Sequence, residues 1–293
     1  MTAASASLPE ATRLGRTALV VADRAAMTEF YRDVVGLAVQ HRDQSTTTLG
    51  IDGTPLLVLQ TTKTARPRDR DRTGLFHNAF RVPDRGALGA ALARIRDRWQ
   101  LEGASDHGIS EALYLSDPEG NGVEIYCDKP RSEWPRTDDG TVRALSTPLA
   151  LESLAADATG GPASTVPAGT TVGHVHLEVS SIDATRRFYV ETLGFDETIE
   201  GWSSALFVAA GDYHHHVGAN VWQDRSKPAT EDQRGLAWFE LVVPDDGAFD
   251  AVSDRLAASE VSTRRVEAPD GSGDDPLEVT DPDGIRIRIR TAA

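Results

Sequence analysis

The chain has 293 residues, 40% hydrophobic and 26% charged, a composition of soluble globular proteins and a length that allows two ordinary hydrophobic cores. A formal net charge of −15 argues against nucleic acid or anionic membranes as partners. The single cysteine, Cys127, excludes an intramolecular disulfide and fits a reducing cytoplasm.

Residues 1–12 lack the apolar centre of a signal peptide and read as a disordered tail. No stretch approaches the roughly 18 apolar residues of a membrane span. From residue 13 onward the chain repeats itself. An apolar run at Thr17–Val21 passes through Asp23 into a helical pattern over Ala25–Val35, and residues 30–37 read FYRDVVGL. Gly-Leu, a strand and Val-Pro-Asp occupy 74–84, ahead of a second helical pattern over Arg85–Arg98. Residues 117–126, DPEGNGVEIY, place an Asp-Pro-x-Gly turn before an alternating strand. The stretch 129–170 breaks the pattern, is rich in small and turn-forming residues towards its end, and reads as a linker. The landmarks then recur. Val175–Val179 and Asp183 lead to a helix over Ala184–Leu193, with FYVETLGF at 188–195. GLAWFELVVPD at 235–245 precedes a helix over Gly247–Ala258, and DPDGIRIRIR closes the series at 281–290.

These landmarks define four units near 13–62, 73–128, 171–224 and 234–291, each reading strand, helix, three strands. Taken two by two they predict an N-terminal domain over 13–128 and a C-terminal domain over 171–293. Four βαβββ units carrying FY…LGF and DP(D/E)G…E resemble the vicinal oxygen chelate superfamily, which includes glyoxalase I, antibiotic-resistance binding proteins and type I extradiol dioxygenases. Residues 105–126, SDHGISEALYLSDPEGNGVEIY, and 213–222, YHHHVGANVW, are similar to its catechol 2,3-dioxygenase branch. The resemblance covers nearly the whole chain. It implies an α+β fold of two cupped mixed β-sheets, and relatives that are often dimers or larger homo-oligomers.

In such a fold each unit offers side chains from its first and last strands to a pocket. Unit 1 offers Arg16 and Gln60, and unit 4 offers Trp238 and Arg288, none of them a useful ligand for a divalent cation. That pair of units is expected to be metal-free and structural. Unit 2 offers His77 and Glu124, and unit 3 offers His174. Two imidazoles and one carboxylate on one face leave three positions open around an octahedral ion, the arrangement of non-heme Fe(II) oxygenases. A structural zinc site would be closed by four protein ligands. The implied cofactor is Fe(II), with Mn(II) able to take the same ligands, and the implied partners are a small aromatic diol and O2. In the better-known relatives the metal lies between the third and fourth units. Here the ligands fall on units 2 and 3, which predicts that these two pair in space, within one chain or across a dimer.

The resemblance assigns further residues. His107 and Tyr114 stand seventeen and ten residues ahead of Glu124, in the order in which extradiol enzymes place a pocket histidine and tyrosine. His176 shares a strand face with His174 and is placed to contact substrate. Within His214-His215-His216, strand parity with Gly218, Asn220 and Trp222 favours His216 as the acid–base residue, with His215 as the alternative. Asn220 and Trp222 are candidate substrate contacts, Phe76 and Trp202 candidate pocket aromatics, and His41 a surface residue.

Overall fold

The structure is a computed structural model describing residues 7–62, 65–163, 165–199, 202–228, 230–267 and 275–292. Each repeat forms the unit expected of it. Unit 1 comprises β1 (Arg13–Val21), α1 (Arg24–Phe30), β2 (Ala38–Arg42), β3 (Thr46–Ile51) and β4 (Thr54–Thr61). Unit 2 comprises β5 (Gly74–Arg81), α2 (Arg85–Arg98), β6 (Gly103–Asp106), β7 (Ser110–Ser116) and β8 (Gly122–Asp128). Between units 2 and 3 lie β9 (Thr147–Pro148) and α3 (Leu151–Ala156). Unit 3 comprises β10 (Thr171–Glu178), α4 (Ile182–Arg186), β11 (Asp196–Glu197), β12 (Ala205–Ala209) and β13 (Val217–Asn220). Unit 4 comprises β14 (Gly235–Val243), α5 (Asp246–Ala258), β15 (Thr263–Arg265), β16 (Leu277–Thr280) and β17 (Arg286–Thr291).

Side chains start the helix of each of the four units. Asp23, Asp84, Ser181 and Asp245 each accept a hydrogen bond from the amide three residues on, satisfying an N–H that the helix cannot. Both FY motifs depart from a plain α-helix. α1 passes into a π-helical turn over Tyr31–Val35, and α4 into one over Arg187–Thr192. In each the tyrosine, Tyr31 or Tyr189, is fully buried.

The strands form an eight-stranded sheet in the order β15-β16-β17-β14-β1-β4-β3-β2 and a nine-stranded sheet in the order β11-β12-β13-β10-β5-β8-β7-β6-β9. At the centre of the first, β1 pairs antiparallel with β14; at the centre of the second, β5 pairs antiparallel with β10. One sheet is therefore built from units 1 and 4, and the other from units 2 and 3, all within one chain. Grouping the units by chain order, 13–128 with 171–293, does not coincide with the sheets. The choice of partner strand is long-range, and four similar first strands carry no local mark of it.

Two stretches expected to be loose are packed. Residues 1–6 lie outside the described residues, but Leu8 is buried and its amide donates to the Gly194 carbonyl at 2.7 Å. The supposed linker 129–170 also packs on the domain. Leu154 of α3 is buried, β9 pairs with β6, and Arg85 bridges Glu111 and Asp157. Each is anchored by isolated apolar or charged residues rather than by a periodic pattern, so neither shows up in a search for periodicity.

A shared core lies between the sheets and helices. It includes Leu19, Phe239 and Ile287 from one sheet and Phe80, Val175 and Ile125 from the other. On the far face of the unit 1–4 sheet, Arg16 holds Glu240 through Nε and Nη2 at 3.0 and 2.6 Å. Arg288 holds Glu278 at 2.9 Å and lies 4.2 Å from the Trp238 ring centre. Two guanidinium groups already paired with carboxylates, and the Trp238 indole, fill the positions that His174, Glu124 and His77 occupy in the other sheet. Donor-only cations cannot ligate another cation. His41, on β2, is exposed.

Candidate metal centre

Two of the three middle strands of the unit 2–3 sheet alternate through the site, while the ladder between β10 and β5 is irregular at His176 and Leu177. On β10, Val175 and Leu177 enter the core while His174 and His176 face the opposite side; on β8, Val123 and Ile125 enter the core while Glu124 faces that side. β5 contributes His77, which stands directly across from His176 in the ladder. Gly173 is required where β8 approaches: a Cβ there would lie 1.8 Å from the Tyr126 hydroxyl.

The geometry brings three donor atoms to one point. His77 Nε2 and His174 Nε2 are 3.2 Å apart, and Glu124 Oε2 lies 2.9 Å from the first and 3.0 Å from the second. All three residues are buried, and among the described residues they form the one such cluster of three possible ligands. Two ligands at right angles about an ion, with bonds of about 2.1 Å, stand about 3.0 Å apart. The triangle matches one face of such a coordination sphere. Protons alone satisfy it poorly. If both imidazoles donate to Glu124 their N–H groups oppose each other, and if one does not, its lone pair faces the carboxylate. A cation resolves both conflicts, so the donor set fits a divalent metal.

The electrostatics agree. Burial resists ionisation of Glu124 most, but the charges and hydrogen bonds of His174 and His77 outweigh it and hold the carboxyl well below its ordinary range. Burial lowers His174 to about 4 despite the Glu124 carboxylate. Burial, aided by neighbouring histidines, also pushes His176 and His215 well below the ordinary imidazole value. Neutral imidazole is the form that binds metal.

The cluster lies at the bottom of a cavity of about 290 Å³. Phe76, Phe207, Trp202 and Trp222 supply aromatic wall, and His107, Tyr114, His176 and His215 supply polar atoms. His107 Nδ1 is 2.7 Å from the Leu145 carbonyl, which accepts only, so that nitrogen carries the proton. Neutral His107 then uses Nε2 to accept from the Tyr114 hydroxyl at 2.8 Å. Burial and the nearby Glu124 carboxylate raise the Tyr114 pKa well above the ordinary value, so its hydroxyl keeps its proton.

Two sequence expectations are corrected. His216 does not face this cavity. It accepts the Ala210 amide at Nδ1, 3.2 Å away, and opens onto a separate cleft with Arg13, Arg81 and Arg131. His215 lines the metal cavity instead, its ring 4.2 Å from that of His174. Strand parity was the wrong rule here because β13 begins only at Val217. Asn220 is fully buried and does not line the cavity; its Oδ1 accepts the Trp222 amide at 3.1 Å and so braces a residue that does. Sequence reasoning missed Ile109, Ile199 and Phe207, and the Ala144–Ser146 stretch of the supposed linker, all of which form wall. Apart from Phe207, which β12 supplies, these residues reach the cavity from loops, and no spacing rule marks them.

The fold agrees with comparisons to known proteins. The model of the glyoxalase/bleomycin resistance protein/dioxygenase superfamily matches residues 13–125 and 171–289, and the chain belongs to that superfamily. It is 37% identical over 266 residues to a protein of Bacillus subtilis (strain 168) named catechol-2,3-dioxygenase, covering 89% of this chain and 93% of that one. Among solved structures it is similar to glyoxalase I from Zea mays, with a TM-score of 0.58 at 14% identity over 96% of this chain and 92% of that one. It is also similar to the cppA protein from Streptococcus pneumoniae TIGR4, with a TM-score of 0.54 at 10% identity, covering 98% and 99% of the two chains. At those identities the structures bear on fold alone.

Proposed function

We propose that this chain is an extradiol ring-cleaving dioxygenase acting on a catechol-type aromatic diol with O2. The observation that carries the reading is the buried His77, Glu124 and His174 face at the bottom of an aromatic-walled cavity. Three protein ligands leave room for both diol oxygens and for O2, whereas a glyoxalase-type site needs a fourth ligand, and among the described residues none joins the cluster. The similarity to a protein named catechol-2,3-dioxygenase supports the same reading.

Fe(II), or Mn(II), held by His77, Glu124 and His174 would supply a Lewis acid and an electron conduit between diol and O2. Phe76 and Trp222 flank the aromatic ring, and the apolar wall excludes bulk water. His215 takes a proton from a substrate hydroxyl and later returns it. His176 hydrogen-bonds the substrate from the opposite strand. The Tyr114 hydroxyl, held beside the cavity by His107, turns its one proton from His107 Nε2 to the substrate and steadies developing negative charge there. Both oxygen atoms remain in the ring-opened product, an acid bearing a semialdehyde. Every residue in these roles comes from one chain, so the site needs no partner subunit. No helix among the described residues is long and apolar enough to cross a membrane.

The deciding experiment is anaerobic loading with Fe(II), then addition of catechol or substituted catechols and O2. Oxygen uptake with a yellow ring-opened product is expected. No uptake with any diol, in a protein that retains metal, would turn the assignment to a metal-dependent isomerase or lyase.

A further inference from the structure

Behind His215 runs a chain of hydrogen bonds that the proposed chemistry has not used. His215 Nδ1 is 2.7 Å from His214 Nδ1. His214 Nε2 is 2.9 Å from Asp128 Oδ1, and Arg81 Nη1 is 3.2 Å from Asp128 Oδ2. The Tyr213 hydroxyl also donates to Asp128 Oδ1, at 3.4 Å. His214 is buried, and His215 lines the metal cavity.

From this geometry we infer that Asp128 and His214 are positioning residues that fix the tautomer of His215, so that its Nε2 presents a lone pair to the cavity. The steps follow from donor and acceptor inventory. An ionised carboxylate only accepts, so His214 Nε2 carries a proton and donates it to Asp128. Arg81 already balances the Asp128 charge, so a second, uncompensated cation on buried His214 is disfavoured. Neutral His214 therefore has a bare Nδ1. A bare Nδ1 at 2.7 Å requires a donor, so His215 carries its proton on Nδ1. Neutral His215 is then left with a bare Nε2, the form a base needs to accept a diol proton.

This inference deepens the ring-cleavage reading and rests on it for the role of His215, but the tautomers can be read without turnover. The probe is the full chain labelled with ¹⁵N-histidine, metal-free and again with Zn(II) added, its imidazole nitrogens observed by NMR at neutral pH. The wild type is expected to show His214 protonated on Nε2 alone and His215 on Nδ1 alone. Asp128→Asn should invert both. Arg81 keeps the amide oxygen on its own side, which turns the amide nitrogen towards His214 and makes His214 Nε2 an acceptor. With Fe(II) and a diol that the wild type cleaves, the same variant should lose about 10²-fold or more in kcat with little change in KM. His214→Phe, which removes the link without a new donor, should lower kcat while leaving metal content intact.

A wild-type spectrum with His215 protonated on Nε2, or His214 protonated on both nitrogens, would overturn the relay. So would an Asp128→Asn spectrum with both tautomers unchanged. The expected tautomers in a protein that cleaves no diol would uphold the relay and remove the ring-cleavage reading alone.

Discussion

The Tyr31 hydroxyl donates to Asp117 Oδ2 at 3.0 Å, joining the FY motif of unit 1 to the Asp-Pro-x-Gly turn of unit 2. The other half of the chain repeats the bond, from Tyr189 to Asp281 at 3.1 Å. The two motifs that recur in the sequence are thus two ends of one contact. It ties consecutive units whose strands belong to different sheets.

Removing either hydroxyl leaves a buried carboxylate short of one donor. Tyr31→Phe and Tyr189→Phe should each destabilise the protein by about 1–3 kcal/mol. The measurement is the urea midpoint at constant m-value. Unchanged midpoints in both variants would show that the contact is incidental.

Asp281 gives this contact a pH dependence. Burial, helped by Asp283 and only partly offset by amide donors, pushes its carboxyl up to about 7. The unfolded chain releases that proton near 3.9. Between these values the folded state holds more protons than the unfolded, so this contribution to stability is full below about 4 and is lost as pH rises through about 7. Asp281→Asn lacks it. The variant's stability relative to wild type should therefore climb across that window, and a flat difference would count against the raised value.

His77→Ala, His174→Ala and Glu124→Ala should each abolish tight binding of Fe(II), measured as metal content after desalting. Activity should vanish with the metal. An alanine variant that kept its iron would remove that residue from the ligand set.

Tyr114→Phe and His107→Ala should keep the metal and lose turnover by about 10²-fold, the range for one donor aimed at developing charge. Loss of metal instead would mean that the pair supports Glu124 rather than the reaction.

Trp222→Ala opens the aromatic wall. It should raise KM about tenfold and leave kcat nearly unchanged, since one aromatic contact is worth about 0.5–1.5 kcal/mol. An equal fall in kcat would place Trp222 in transition-state binding.

What could be read in the sequence was local or repeated. Turn chemistry at Asp-Pro-x-Gly, helix starts at Asp23 and Asp84, and alternation along β8 and β10 depend on neighbours a few residues apart, and they delimited the four units. Matched repeat positions singled out His77, Glu124 and His174, because the same positions in the other units carry Trp238, Arg288 and Arg16. Only the tertiary structure decided which units share a sheet, since β5 meets β10 through ladder bonds between strands about a hundred residues apart. It also decided that His215 rather than His216 faces the cavity, because residues just before β13 do not obey strand alternation. The hydrogen bond from His107 to Leu145, and the chain from Arg81 through Asp128 and His214 to His215, join side chains that no periodicity relates. The choice of candidate ligands follows from residue chemistry at repeated positions, whereas orientation and protonation depend on contacts that exist only once the chain has closed on itself.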